Sequence, residues 1–237
     1  MDGAKRHQQF FNLQASIFNI HFRLVRVRIM TTTAIVSFIG LPAFAYLLGS
    51  IPWGIVLTRV FTSVDIRQQG SGNIGTTNVS RVAGSTLGLL TFLGDVLKGA
   101  VPVYLALILA GKNQGTGDLL PAMVALATFF GHLYPLFMKF KGGGKGVATC
   151  AGCFVVLSPL ACLAALLTFI VGLFSSKRVS AGSLAAAAVL PWGAGFSTGS
   201  VQITISAVIM AVFIYVRHRD NIKRLISGTE PKFKEKQ

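Results

Sequence analysis

The chain is short of acid. Asp and Glu number only 7 against 22 Lys and Arg, and charged residues make up 12% of the 237, about half of the ~25% of an ordinary soluble domain. With 52% hydrophobic residues and a mean hydropathy of +0.65, the chain cannot cover itself with polar surface, which excludes a water-soluble globule. Charge is missing altogether from residues 34–58, 119–138, 146–176 and 179–216. Each run is long enough for the ~20 apolar residues that cross a bilayer. Cysteine is scarce too. Cys150 and Cys153 form a C-x-x-C with Cys162 beyond it. Without a second pair or a nearby His this is no metal site, and the three read as small apolar helix residues.

The net charge of +15 raises nucleic acid as a partner, but the positions of the basic residues argue against it. Arg59, Arg67, Arg81, Lys139, Lys141, Lys145, Lys177, Arg178, Arg217, Arg219, Lys223 and Arg224 stand at the ends of hydrophobic segments. That is the bias of short cytoplasmic loops in membrane proteins, not a basic stripe on a folded face. Residues 1–29 carry five basic residues and one acid. They lack the short apolar core of a secretory signal and read as an extension upstream of a natural start at Met30. The single membrane-embedded domain is then 30–237.

The expected class is an all-α integral membrane protein, a polytopic helical bundle. Residues 34–58, 82–111 and 119–138 each supply one span. The runs 146–176 and 179–216 would be roughly 46 and 57 Å long as single helices, against a ~30 Å hydrocarbon core. Both contain breakers, Ser158-Pro159 and "PWGAGFSTGS" at 191–200, so splitting both gives seven spans and splitting neither gives five. The seven-span reading puts Lys177 and Arg178 on the cytoplasmic side, as the charge bias favours. Either count leaves the N-terminus out and the C-terminus in, and gathers 59–81, 139–146 and 217–237 on one membrane face.

Those three segments hold the polar chemistry. "RQQGSGNIGTTNVSR" (67–81) contains G-x-G-x-x-G at Gly70, Gly72 and Gly75, with Asp95 twenty positions on. A dinucleotide fold needs a βαβ unit there, and two flanking spans leave no room for it. The physics of the motif survives: glycines let backbone N–H groups approach an anion, and a helix start follows. Ser71, Asn73, Thr76, Thr77 and Asn78 add donors, and Arg81 adds a phosphate-matching fork. The plain alternative is a solvated surface loop. "FKGGGKGVAT" (140–149) is a second glycine loop, with Gly142, Gly143, Gly144 and Gly146 around Lys145. It is not a Walker A, since Gly146 stands where Ser or Thr is needed. "RHRDNIKRLISGTE" (217–230) reads as a helix leaving the last span, with His218 and Asn221 on one face; a basic surface helix is its alternative. Asp95 and Lys98, three apart inside a hydrophobic segment, suggest an ion pair or a direct role. "GFSTG" (195–199) lacks the acid and the strand-turn-helix of a nucleophile elbow. No His lies in H-E-x-x-H, and no metal is expected.

"GSGNIGTTN" with Arg81, "GHLYPLFMKFKGGGKGVAT" and "RHRDNIKRLISGTE" together resemble, in order and spacing, the three motifs of the bacterial acyl-phosphate:glycerol-3-phosphate acyltransferases, the PlsY family. "LGSIPWG" and "GDVLKG" also resemble family segments. The resemblance runs from about Ala34 to Glu230. It implies a seven-helix enzyme of the bacterial cytoplasmic (inner) membrane with its site near the cytoplasmic face. It implies acylation of the 1-position of glycerol 3-phosphate from a long-chain acyl phosphate, without a cofactor. Lysophosphatidate and phosphate are the products, in phospholipid synthesis. Membrane lipid and the peripheral phosphate acyltransferase that makes the donor are the implied partners. The family's second loop reads F-K-G-G-K-G-V-A-T. The extra glycine here leaves Lys141 and Lys145 as alternatives for the catalytic lysine.

The expected roles follow. Ser71, Asn73 and Arg81 grip the acyl phosphate, with Gly70, Gly72, Gly75, Thr77 and Asn78 shaping its phosphate site. Gly142 to Lys145 and Gly146 hold glycerol 3-phosphate. His218 and Asn221 orient the acceptor, with His218 or the donor's phosphate as base. Asp95, Lys98, His132 and Glu230 are structural or of unassigned role. The rival from another class is a transporter for a phosphorylated anion, which predicts charged groups from several spans near the midplane.

Overall fold

A computed structural model describes residues 36–112 and 117–233; the basic segment 1–29 and the start expected at Met30 lie outside the described residues. Val36–Gly40 is a short π-helix belonging to a separate compact unit. The unit that begins at Leu41 is all-helical. Its helices are α1 (Leu41–Gly49), α2 (Trp53–Phe61), α3 (Thr76–Ala83), α4 (Ser85–Lys112) and α5 (Leu119–Leu133), then α6 (Val147–Leu157), α7 (Pro159–Ser176), α8 (Val179–Thr198), α9 (Val201–Arg217) and α10 (Arg219–Ile226). An apolar segment in lipid must pair its own backbone groups, and a helix does this within itself.

Among the described residues, four helices are long and apolar enough to span a membrane, or up to six if each of two bent helix pairs counts as one span. α6 is a shorter apolar helix. Both long uncharged runs are broken. The first breaks at Ser158, whose hydroxyl caps α7 by accepting from the Ala161 N–H at 3.2 Å, with Pro159 at the first helical position where its missing N–H costs nothing. The second breaks at Gly199, which is left-handed at φ 62° and lies within the expected stretch 191–200. α8 runs straight through Pro191, as membrane helices tolerate when neighbours satisfy the freed carbonyl. The resulting pieces have 11, 18, 20 and 17 residues, so the first run divides unevenly and the second nearly in half.

Small residues bring the helices close, as is usual where lipid gives no hydrophobic drive to association. α1 lies on α5, and a methyl on Gly49 or Gly131 would run into the carbonyl of Thr128 or Tyr46. α4 lies on α6 in the same way, with Gly152 against the Val96 carbonyl. α7 pairs with α8 across the two-residue turn Lys177–Arg178. Between α2 and α3 the chain folds over a small core of its own, Ile55, Ile66, Ile74 and Val79. Four sites in the sequence thereby meet at one end of the bundle: the 62–75 loop with α3, the 139–146 loop, the 177–178 turn, and α10 with its tail.

Candidate active site

At that end lies a cavity of about 430 Å³. Its walls are Gly70, Ser71, Asn73 and Gly75 through Asn78 with Arg81; Lys145 through Ala148; Val179, Ser180 and Ser183; and His218, Asn221, Arg224 and Thr229 through Pro231. Phe92 and Phe169 give it an apolar side, and Asp95 and His132 close one end.

The first loop is held by its own side chains. Asn78 is 2% exposed and is saturated: its Oδ1 accepts from the Ser71 N–H at 2.9 Å, and its Nδ2 donates to the carbonyls of Ile66 and Gln69 at 3.1 Å each. Asn73 Oδ1 accepts from the Gly75 N–H at 2.9 Å, a local turn. The polar atoms of Asn78 thus build the loop that lines the cavity. Gly70 (φ 58°) and Gly72 (φ 67°) are left-handed, and at Gly70 a side chain would also strike Asn78 Oδ1. Gly72 does not reach the cavity wall. What faces the cavity is Ser71, Arg81 and the start of α3, whose first N–H groups have no intrahelical partner.

The second loop presents one of its two candidate lysines. Lys145 enters the cavity and donates from Nζ to Asn221 Oδ1 at 2.5 Å. Lys141 is exposed and does not line it. From Gly143 onward the chain reads G-G-K-G-V-A-T without interruption. The additional residue is absorbed before it, where Lys139 (φ 54°), Phe140 (φ 62°) and Gly142 (φ 69°) are all left-handed. Gly142, Gly143 and Gly144 do not line the cavity. The carbonyls of Gly143 and Gly144 accept from Arg217, the latter at 3.1 Å, and the Gly144 N–H donates to the His132 carbonyl at 3.2 Å. Gly146 and the start of α6 do line the cavity.

The third segment braces the second. α10 leaves α9 at a 60° bend. Asn221 is 7% exposed, and its Nδ2 donates to Glu230 Oε1 at 2.6 Å while Arg224 Nε donates to Glu230 Oε2 at 2.7 Å. The amide of Asn221 thus bridges Lys145 and Glu230. Burial pushes the Glu230 carboxyl up, but the donors Asn221 and Arg224 outweigh it and leave it below the usual range. Arg178 ties the tail down through the Glu230 and Gly228 carbonyls at 3.0 and 3.1 Å, and the Phe233 N–H meets the Lys177 carbonyl at 2.7 Å. This clasp, and Ser180 and Ser183 on α8, carry no sequence motif that points to the site.

Burial, and the repulsion of Arg224, Arg81 and Arg217 against the pull of Glu230, lower Lys145 to about 8. His218 is 2% exposed; burial first, then the neighbouring Lys145, lowers it to about 4. The ring is therefore neutral near pH 7. Its Nδ1 lies 2.7 Å from the Ile214 carbonyl, so Nδ1 carries the hydrogen and Nε2 keeps its lone pair. Both carboxylates at the cavity are balanced, Asp95 by Lys98 and Glu230 by Arg224. Lys145 and Arg81 have no ion pair among the described residues. Arg81, in the last turn of α3, and Lys145, two residues before α6, line the same cavity as the neutral His218 ring.

Residues 39–228 match the family model described as glycerol-3-phosphate acyltransferase. The chain is 49% identical over 190 residues to the glycerol-3-phosphate acyltransferase of Syntrophotalea carbinolica, covering 80% of this chain and 94% of that one. It is 46% identical to that of Geobacter sulfurreducens, covering 82% and 96%. Among solved structures it is similar to PlsY (YgiH), an integral membrane glycerol 3-phosphate acyltransferase. The glycerol 3-phosphate form gives a TM-score of 0.77 at 38% identity, over 83% of this chain and 96% of that one. The lysophosphatidic acid form gives 0.75 at 37%, over 83% and 95%.

Proposed function

The chain belongs to the glycerol-3-phosphate acyltransferase family, and on that premise we propose that it transfers a fatty acyl group from an acyl phosphate to the 1-hydroxyl of sn-glycerol 3-phosphate. Lysophosphatidate and inorganic phosphate are released. The observation that carries this reading is the pair of cations without an ion pair among the described residues, Arg81 on α3 and Lys145 on the second glycine loop, around one cavity. Two substrates that both bear phosphate need two such sites.

The donor is a mixed anhydride whose phosphate already leaves well, so no protein nucleophile is required. Arg81, the Ser71 hydroxyl and the first N–H groups of α3 hold the donor's phosphate and the charge that grows on the carbonyl oxygen. Lys145 and the start of α6 hold the acceptor's phosphate. The acceptor hydroxyl oxygen forms the new ester bond to the acyl carbon, the acyl carbon–phosphate oxygen bond breaks, and the hydroxyl proton passes to His218 Nε2. The acyl chain runs out past Phe92 and Phe169 into the hydrocarbon layer. We count α6 as a seventh crossing of the bacterial cytoplasmic membrane, N-terminus out. This returns the Lys177–Arg178 turn to the face of the α10 tail that it grips. A peripheral enzyme that makes acyl phosphate is the source of the donor.

The test is phosphate release by the purified protein in detergent, from palmitoyl phosphate with glycerol 3-phosphate, against palmitoyl-CoA. Release that needs both substrates, with lysophosphatidate formed and the CoA ester inert, establishes the reaction. A folded protein with no turnover sends the reading to anion flux in proteoliposomes.

A further inference from the structure

Three ionisable side chains lie within the bundle and take no step in the reaction above. Asp95, Lys98 and His132 are 3%, 6% and 4% exposed. Asp95 Oδ1 stands 2.8 Å from Lys98 Nζ and 3.6 Å from His132 Nδ1. Lys98 also donates to the Ile51 carbonyl at 2.9 Å, between α1 and α2. Buried charges in a membrane bundle are costly and are kept where they hold something in place. Here the held element is identifiable. The far edge of the imidazole abuts Gly144, so closely that a methyl on Gly144 would run into His132 Nε2. The Gly144 N–H donates to the carbonyl of the same histidine. Gly144 is the residue before Lys145.

We propose that His132, turned by Asp95, is a strut that fixes the height of the second loop and so sets where the Lys145 ammonium stands. Lys98 neutralises Asp95, so the strut can exist within the bundle. Gly144 is glycine because the ring occupies the space of its side chain. His132 is a positioning residue: it acts on the acceptor's phosphate through Lys145. The inference rests on the reading that Lys145 takes that phosphate.

The experiment is a double-mutant cycle on Gly144→Ala and His132→Ala, read first by the thermal stabilisation that glycerol 3-phosphate alone confers. Each single substitution should weaken the acceptor about tenfold, because displacing a positioning element by ~1 Å costs one to two orders of magnitude. The double variant should bind within about threefold of His132→Ala, since the new methyl occupies the vacated ring space and residues in contact are not additive. In turnover the loss should fall on the acceptor KM and leave the acyl phosphate KM unchanged. If His132→Ala does not fold, His132→Asn keeps a donor facing Asp95, shortens the edge facing Gly144, and should relieve Gly144→Ala in the same way. An additive cycle, or equal losses for both substrates, overturns the strut alone. A wild-type protein that glycerol 3-phosphate does not stabilise removes the strut together with the reading it rests on.

Discussion

Lys145 Nζ meets Asn221 Oδ1 at 2.5 Å across 76 residues of sequence, and Asn221 in turn is held by Glu230. The lysine that faces the cavity is thus aimed by the tail of the chain. Lys145→Ala should lower kcat/KM about 10²-fold or more, the scale of losing a charge-stabilising donor. Lys141→Ala should stay within about threefold, as an exposed substitution does. Parallel phosphate-release assays check both.

Lys145 also carries a pH dependence. Its folded-state value is lowered by burial to about 8, so the charged form is present below about 8 and is lost as the pH rises through it. The KM for glycerol 3-phosphate should therefore rise above pH 8 while kcat holds. Lys145→Arg, which keeps its charge, should abolish that alkaline limb whatever its absolute rate.

His218 is neutral near pH 7 and has Nε2 open. His218→Ala should reduce kcat by about 10²- to 10⁴-fold with little change in either KM, the ordinary yield of a positioned base. A protein that keeps full rate assigns the proton to the donor's own phosphate.

Asn78 makes three hydrogen bonds that shape the first loop. Asn78→Ala leaves their backbone partners unsatisfied, at about 1–3 kcal/mol for each one left buried. The thermal midpoint should fall by several degrees, and the acyl phosphate KM should rise more than that of the acceptor. Equal changes in the two KM values count against the assignment of this loop to the donor.

The bundle was legible because long uncharged runs between basic ends have one solution in lipid. The break at Ser158 was legible from Ser-Pro, a local signal. The break at Gly199 lies within the breaker stretch 191–200; which residue of that stretch ends the helix was not legible, since a proline that ends a helix in water is tolerated where neighbouring helices repair the backbone. Gly70 to Arg81 stood out because a glycine loop and its donors are contiguous. The roles of Asn78 and Asn221 were invisible: the type of an amide side chain says nothing about which groups saturate it. Likewise the choice of Lys145 over Lys141 depends on backbone handedness at Lys139 and Phe140, and the His132–Gly144 contact on how α5 meets a loop. The Arg178 clasp joins residues 50 or more apart and leaves no trace in either segment alone.

That clasp has a consequence for how the protein is made. Chains emerge N-terminus first, so both glycine loops are inserted and folded before residues 221–231 exist. Until then Lys145 has no Asn221 to aim it, and the cavity lacks the wall of Thr229, Glu230 and Pro231. A partly synthesised chain therefore carries both glycine loops without the groups that aim Lys145 and close this side of the cavity.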